Sequence, residues 1–223
     1  MSTTITVTHT QRQPALLDQT VVVIGGSAGI GVETARRARR EGAKVILTAR
    51  NPESLQRAAS EVEALSTAAF DAMDPARLEQ FFDDLPFTID HVMVTAGRPY
   101  YGRLIDLDPA QASRALSEHL ILFLDVARRA ATKVRPGGSL VFMGGTGSRR
   151  PRIGLGVAST VTIALPALTA NLALEVAPVR VNLIAAGFVD RPCPHHCWAT
   201  GSKSGASSCK PSFPSGGLSS RRM

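Results

Sequence analysis

The stretch Val21-Val22-Val23-Ile24-Gly25-Gly26-Ser27-Ala28-Gly29-Ile30-Gly31 constrains the fold more than any other part of the chain. Its four apolar, β-branched residues predict a strand buried on both faces. A glycine-rich turn follows at once, and residues 32–40 continue in a helical pattern. Strand, glycine turn and helix in this order open a dinucleotide-binding unit, in which the helix N-terminus meets a pyrophosphate. Gly25 allows the tight turn, Gly29 lets backbone amides approach the phosphates, and Gly31 lets the helix pack close to the strand. Ser27, Ala28 and Ile30 complete the candidate phosphate loop. The spacing is G-x-x-x-G-x-G, not the G-x-G-x-x-G of the dinucleotide fingerprint.

Further strands and helices alternate along the chain. Strands are expected at 44–49, 68–70, 89–95, 139–143 and 179–184. Helices are expected at about 29–41, 76–85, 109–133 and 157–177, with another starting at Pro52. Asn51-Pro52, Asp74-Pro75 and Asp108-Pro109 each place a capping side chain before a proline at the first helical position. Gly42 suits the end of the first helix. Pro136-Gly137-Gly138 predicts a turn, and Pro166 should kink its helix or remove one bond. This alternation predicts an α/β fold: a Rossmann-like, doubly wound parallel sheet with helices on both faces, forming a single domain. Ligands are then expected at the carboxyl ends of the strands. Residues 1–19 are polar and Thr-rich and read as a flexible leader, the domain spans 20–190, and 191–223 forms a separate tail.

The 223 residues carry a net charge of +7, which on its face suggests nucleic acid. Five of those charges are Arg191, Lys203, Lys210, Arg221 and Arg222, with no acid after Asp190, which leaves +2 on residues 1–190. Arg36, Arg37, Arg39 and Arg40 cluster on the first helix and read as a solvated face, so no nucleic-acid partner is expected. No apolar run of membrane-spanning length and no signal-peptide core stand out, so a cytoplasmic protein without a membrane partner is expected. Cys193, Cys197 and Cys209 all follow Asp190, so no disulfide framework is implied. Cys193-Pro194-His195-His196-Cys197 has ligand types that suit zinc but no paired-ligand hairpin, and no metal site is expected.

The G-x-x-x-G-x-G turn resembles the T-G-x-x-x-G-x-G fingerprint of the short-chain dehydrogenase/reductase family, with Ile24 in place of the Thr. Thr95-Ala96-Gly97 resembles the family's Asn-Asn-Ala-Gly, and Leu172-Ala173-Leu174-Glu175, with Ala177-Pro178 and Arg180-Val181-Asn182 after it, is close to another family segment. The resemblance covers about residues 20–190. It implies hydride transfer between a nicotinamide cofactor and a carbonyl or alcohol on a small-molecule substrate. It also implies assembly as a homo-oligomer, which is doubtful for this chain. Ala96 and Gly97 would line the cofactor, Asp71 after Phe70 would accept from the adenine amino group, and Gly187 and Val189, in a segment that matches the family's P-G-x-V-x-T apart from its Pro and its Thr, would bind the cofactor. The side chain past the second strand meets the adenosine ribose. Arg50, followed by Asn51, favours NADP(H) over NAD(H), because Arg can accept a 2′-phosphate where an acid would bind a 2′-hydroxyl.

The family's catalytic groups are not at their positions. Counting back without gaps from Leu172, its Tyr falls on Ala158, its Lys on Thr162 and its Ser on Gly145; its Asn falls near His119. No catalytic residue is therefore assigned, since proton transfer needs a donor of suitable pKa within reach of the substrate oxygen. Tyr100 and Tyr101 read as pocket lining, and His119 as a packing residue. A nucleotide-binding protein without catalysis, or a frameshifted product, is the alternative.

After Asp190 the chain turns rich in Ser, Pro, Gly and Cys, without periodicity. One nucleotide lost at codon 191 would explain it. With suitable codons the restored frame can give Thr after Asp190 and run on to L-P-I-G-R-V-V-V-P-A-D, which resembles a family tail. The domain is therefore expected to be C-terminally incomplete.

Overall fold

The computed structural model describes residues 13–85, 88–97, 99–149 and 151–187. All lie in one compact unit ending at Gly187. Val189, the tail at 191–223 and the first part of the leader fall outside the described residues.

Six strands form one parallel sheet: β1 (Thr20–Ile24), β2 (Lys44–Ala49), β3 (Ser66–Ala69), β4 (Ile89–Val94), β5 (Val134–Gly145) and β6 (Arg180–Ala186), in the order β3-β2-β1-β4-β5-β6. Five helices connect them: α1 (Gly29–Arg40), α2 (Pro52–Val62), α3 (Pro75–Asp83), α4 (Pro109–Ala130) and α5 (Gly156–Glu175). This is the doubly wound dinucleotide-binding order, with the crossover between β1 and β4.

The period of two along β1 sends its side chains to two cores. Val21 and Val23 pack with Ala35 and Ala38 of α1 and Leu55, Ala58, Ala59 and Val62 of α2. Val22 and Ile24 pack with Leu78 and Phe82 of α3, Leu122, Phe123 and Val126 of α4, and Val161, Leu165 and Leu172 of α5. Phe123 stacks on Phe142 of β5, with ring centroids 4.3 Å apart, which ties α4 to the sheet. β1 is therefore buried on both faces, as its unbroken apolar run requires.

The helix ends follow the expected chemistry. Asn51 Oδ1 accepts from Ser54 N–H at 2.8 Å, Asp74 Oδ1 from Ala76 and Arg77 N–H, and Asp108 Oδ1 from Ala110 and Gln111 N–H. Gly42 follows α1 at φ +87°.

Some boundaries differ from expectation. β3 starts at Ser66 and ends before Phe70, whose ring turns into the core. β5 begins at Val134, because the expected 136–138 turn is absorbed as a register irregularity opposite Ile89–His91. Pro166 sits inside α5 without ending it. The last part of the leader is anchored: Leu16 and Asp18 amides donate to the Glu41 and Gly42 carbonyls, and Leu16 packs on the core beneath α1. Contrary to the expectation that no apolar run reaches membrane-spanning length, α5 is long and apolar enough to cross a membrane by length and composition. Here Ala158, Val161, Leu165, Thr169 and Leu172 form its buried face.

Candidate active site

The glycine turn is built by close backbone approach. Gly25 adopts φ +94° and Gly29 φ +56°, a region that side chains disfavour. A Cβ on Gly31 would stand 2.2 Å from the Gly25 carbonyl oxygen and 2.8 Å from Thr95 Oγ1. A Cβ on Gly25 would stand 2.7 Å from Ala96 N. The turn, α1 and the end of β4 thus occupy one another's side-chain space, and only glycine fits.

Three further contacts lock this corner. The Gly25 and Gly26 amides both donate to the Thr48 carbonyl, at 2.9 and 3.0 Å. Thr95 Oγ1 lies 3.0 Å from the Gly25 carbonyl, to which it donates, and 3.3 Å from that of Ile24. A Cβ on Gly26 would stand 2.7 Å from Leu47 Cδ2 and 3.1 Å from the Val23 carbonyl oxygen, so the buried Leu47 side chain would have to shift. Sequence reasoning missed Gly26, because its constraint comes from the pairing of β2 with β1 and not from any motif.

The residue before α1 is Ala28, which has no side-chain acceptor. The first-turn amides, at Gly29, Ile30 and Gly31, therefore lack the capping partner that Asn51, Asp74 and Asp108 supply to α2, α3 and α4. Uncapped amides at a helix N-terminus suit an anion. Ser27 and Ile30 are half-buried beside them. This cradle fits a pyrophosphate.

At the end of β2, Arg50 is 60% exposed and its Nη1 lies 4.0 Å from Asp71 Oδ2, which is 51% exposed. An ion pair this long and wet is worth about 0–1 kcal/mol, so an incoming phosphate can displace it. Asp71 Oδ1 accepts from Met73 N–H at 3.0 Å, which fixes the turn after β3. Asn51 uses its Oδ1 as the α2 cap, a task the sequence also foresaw.

Gly97 follows β4 at φ +116°, and a Cβ there would stand 2.8 Å from His119 Nε2. The His119 ring meets Phe123 edge-on at 6.3 Å, as a packing residue would. Burial holds its pKa below the usual histidine value; Glu118 and the nearby Ala115 carbonyl pull the other way, and Nδ1 makes no well-formed hydrogen bond.

The positions matched to the family's catalytic Ser and Lys do converge. A Cβ on Gly145 would meet Thr162 Cγ2 at 3.3 Å. Ala158 lies buried one turn earlier on α5. The local hydroxyls are engaged with the backbone: Ser159 Oγ donates to the Gly147 carbonyl and Thr162 Oγ1 to that of Ser159, both at 3.1 Å. Gly145, Ala158 and Thr162 hold no titratable group. Tyr100 packs at the start of α4, its hydroxyl 3.4 Å from Asp108 N. Gly187 is exposed just past β6. Among the described residues, no group of His, Cys, Asp and Glu is arranged to hold a metal.

Three of the four arginines of the α1 cluster pair with acids. Arg36 pairs with Glu33 and Glu61, Arg37 with Glu33, and Arg39 with Glu63.

Comparison with known proteins agrees with this geometry. A family model described as Enoyl-(Acyl carrier protein) reductase matches residues 25–206. The short-chain dehydrogenase/reductase ATR9 of Stachybotrys chlorohalonatus is 31% identical over 196 residues, covering 78% of this chain and 75% of that one. The crystal structure of BdcA in complex with NADPH superposes with a TM-score of 0.73 at 25% identity, covering 79% of this chain and 73% of that one. A putative short chain dehydrogenase from Escherichia coli CFT073, also complexed with NADPH, gives 0.71 at 26% identity and covers 79% of each chain. Fold, glycine turn and relatives agree: the chain belongs to the short-chain dehydrogenase/reductase family of nicotinamide-binding oxidoreductases.

Proposed function

We propose that the chain is an NADP(H)-dependent oxidoreductase acting on a carbonyl or alcohol of a small-molecule substrate. The observation that carries this is the cradle of Gly25, Gly29 and Gly31 under an uncapped α1, with Arg50 at the neighbouring strand end. In it the amides of 28–31 and Ser27 hold the pyrophosphate, Arg50 and Asn51 the ribose 2′-phosphate, and Asp71 the adenine. Ala96, Gly97 and Gly187 line the cofactor. The bound nicotinamide supplies or accepts a hydride. The NADPH named in the two superposed structures supports this cofactor.

The chain's own residues bind and orient; they do not supply the family's proton donor. Ala158 and Thr162 have no acid to offer, and general acid catalysis is typically worth about 10²–10⁴-fold. Ordinary ketones should therefore turn over slower than in a Tyr/Lys-bearing relative by about that factor. NADPH consumption and alcohol formation across a carbonyl panel test the reading. Stoichiometric alcohol from at least one carbonyl is expected; a chain that binds NADPH and reduces none is a nucleotide-binding protein without catalysis. Exposed Ile121 and Leu124 on α4 and Ile163 and Leu174 on α5 support homo-oligomer assembly.

A further inference from the structure

The amino end of the sheet, opposite the glycine turn, carries a polar cluster of its own. His91 of β4 is half-buried there, level with Val21 of β1 and Ser139 of β5. Its Nδ1 lies 2.8 Å from Ser139 Oγ, and its Nε2 lies 2.7 Å from Gln19 Oε1 of the leader. The partners fix the direction of both bonds. Gln19 Nε2 donates to the Ala15 carbonyl at 3.4 Å, so Oε1 faces the ring and can only accept. His91 Nε2 therefore carries the hydrogen, and in the neutral ring Nδ1 accepts from the Ser139 hydroxyl. One chain of hydrogen bonds thus runs from the sheet, through the imidazole, to residues 15–19.

Protonation conflicts with this arrangement. A hydrogen on Nδ1 would face the Ser139 hydroxyl, which must then accept it and send its own hydrogen elsewhere. Ser139 is only 6% exposed, so water is not at hand to take that hydrogen. The charged ring would also feel Arg135 of β5 and Arg180 of β6, which with burial hold its pKa below the usual histidine value. Asp90 of β4 opposes them, but its carboxylate already accepts from the Thr20 amide at 2.7 Å and pairs with Arg135. On the leader side, Asp18 pairs with Lys44 of β2 at 3.6 Å, and the Glu41 carboxylate accepts from the Ala15 amide at 2.9 Å.

The leader gives up little by leaving. Leu16 is its one apolar side chain packed on the core among the described residues, and Leu17 is 60% exposed. Segments with so few buried contacts open before the sheet does. Once Gln19 has left, the His91 ring reaches water and its charge is solvated. We propose that His91 is a proton-sensitive latch: neutral, it fastens residues 15–19 to the amino end of the sheet, and protonated, it lets them go. The released state binds the extra proton, so falling pH favours it.

The test follows amide exchange in the full chain from about pH 8 to 5.5, above the ordinary carboxylate range. With intrinsic exchange corrected, protection of the Leu16 and Asp18 amides, which donate to the Glu41 and Gly42 carbonyls, should fall with pH. The fall should reach at most about tenfold per unit, the limit for one proton. Val22 and Val23 of β1 should keep protection far above the leader's, which marks a local opening. His91→Gln, whose side chain can bond but not titrate, should flatten the leader's response. Gln19→Glu sets a carboxylate against Nε2 and favours the charged ring, so leader protection should no longer fall with pH. The series on the unaltered chain needs no variant to fold. Leader protection that stays level, or falls only in step with that of Val22, would overturn the proposal. So would a response that survives His91→Gln or keeps its size in Gln19→Glu.

Discussion

Gly31 bears the tightest constraint in the site. Its missing Cβ would sit 2.2 Å from a backbone oxygen, which cannot rotate away as a side chain could. Gly31→Ala should therefore destabilise by about 1–3 kcal/mol or more, read from urea midpoints, and should weaken cofactor binding. Gly156→Ala is the control. A Cβ there meets nothing within 4 Å, and its φ is not positive, so the change should be neutral or stabilising by about 0.5–1 kcal/mol. Equal effects at the two positions would contradict the close-packed turn.

Two partly buried histidines tie stability to pH. His91 bonds Ser139 through Nδ1 at 2.8 Å and Gln19 through Nε2 at 2.7 Å. Burial lowers its pKa, with Arg180 and Arg135 adding to the effect and Asp90 opposing it. Burial also lowers that of His119. The unfolded chain thus takes up these protons first as pH falls. Stability from this source is full above about 6.5, the free histidine value, and declines as pH drops toward the folded values. Urea midpoints from pH 8 to 5 should show the decline, and His91→Gln should flatten part of it; an unchanged slope in that variant would assign the decline elsewhere.

At the scale of elements, the sequence was most legible where one residue has one job. Asn51-Pro52, Asp74-Pro75 and Asp108-Pro109 each announce a helix start, and each cap is made. Asp74→Ala, which strips acceptors from the Ala76 and Arg77 amides, should cost about 1 kcal/mol in urea unfolding; no loss would mean that α3 is held by packing alone. The apolar runs of β1 and β2 were legible because both of their faces are buried. β3 was legible only in part, expected at 68–70 and formed at 66–69, since its four residues are small and mostly exposed and the apolar signal lay in Phe70 just beyond it. β5 was misplaced at its start because Pro136-Gly137-Gly138 reads locally as a turn, and only the pairing with β4 carries the strand through it. The site divides the same way. Gly25 and Gly31 show in the glycine spacing, whereas the Gly26–Leu47 approach and the meeting of Gly145 with Thr162 depend on long-range register.

Across the whole molecule, the parallel sheet brings the ends of β1, β2 and β4 together and leaves the nucleotide choice to Arg50. Among the described residues Arg50 pairs only with Asp71, in a long, exposed contact, so turning it toward a phosphate costs little. A charge-assisted contact with a 2′-phosphate should favour NADPH over NADH by about 1–3 kcal/mol, which is about 5–150-fold. The direct test is calorimetric titration of NADPH and NADH into the unaltered chain and into Arg50→Ala. The account predicts tighter NADPH binding in the first and near-equal affinities in the second. Equal affinities in the unaltered chain, or a preference that survives Arg50→Ala, would contradict it.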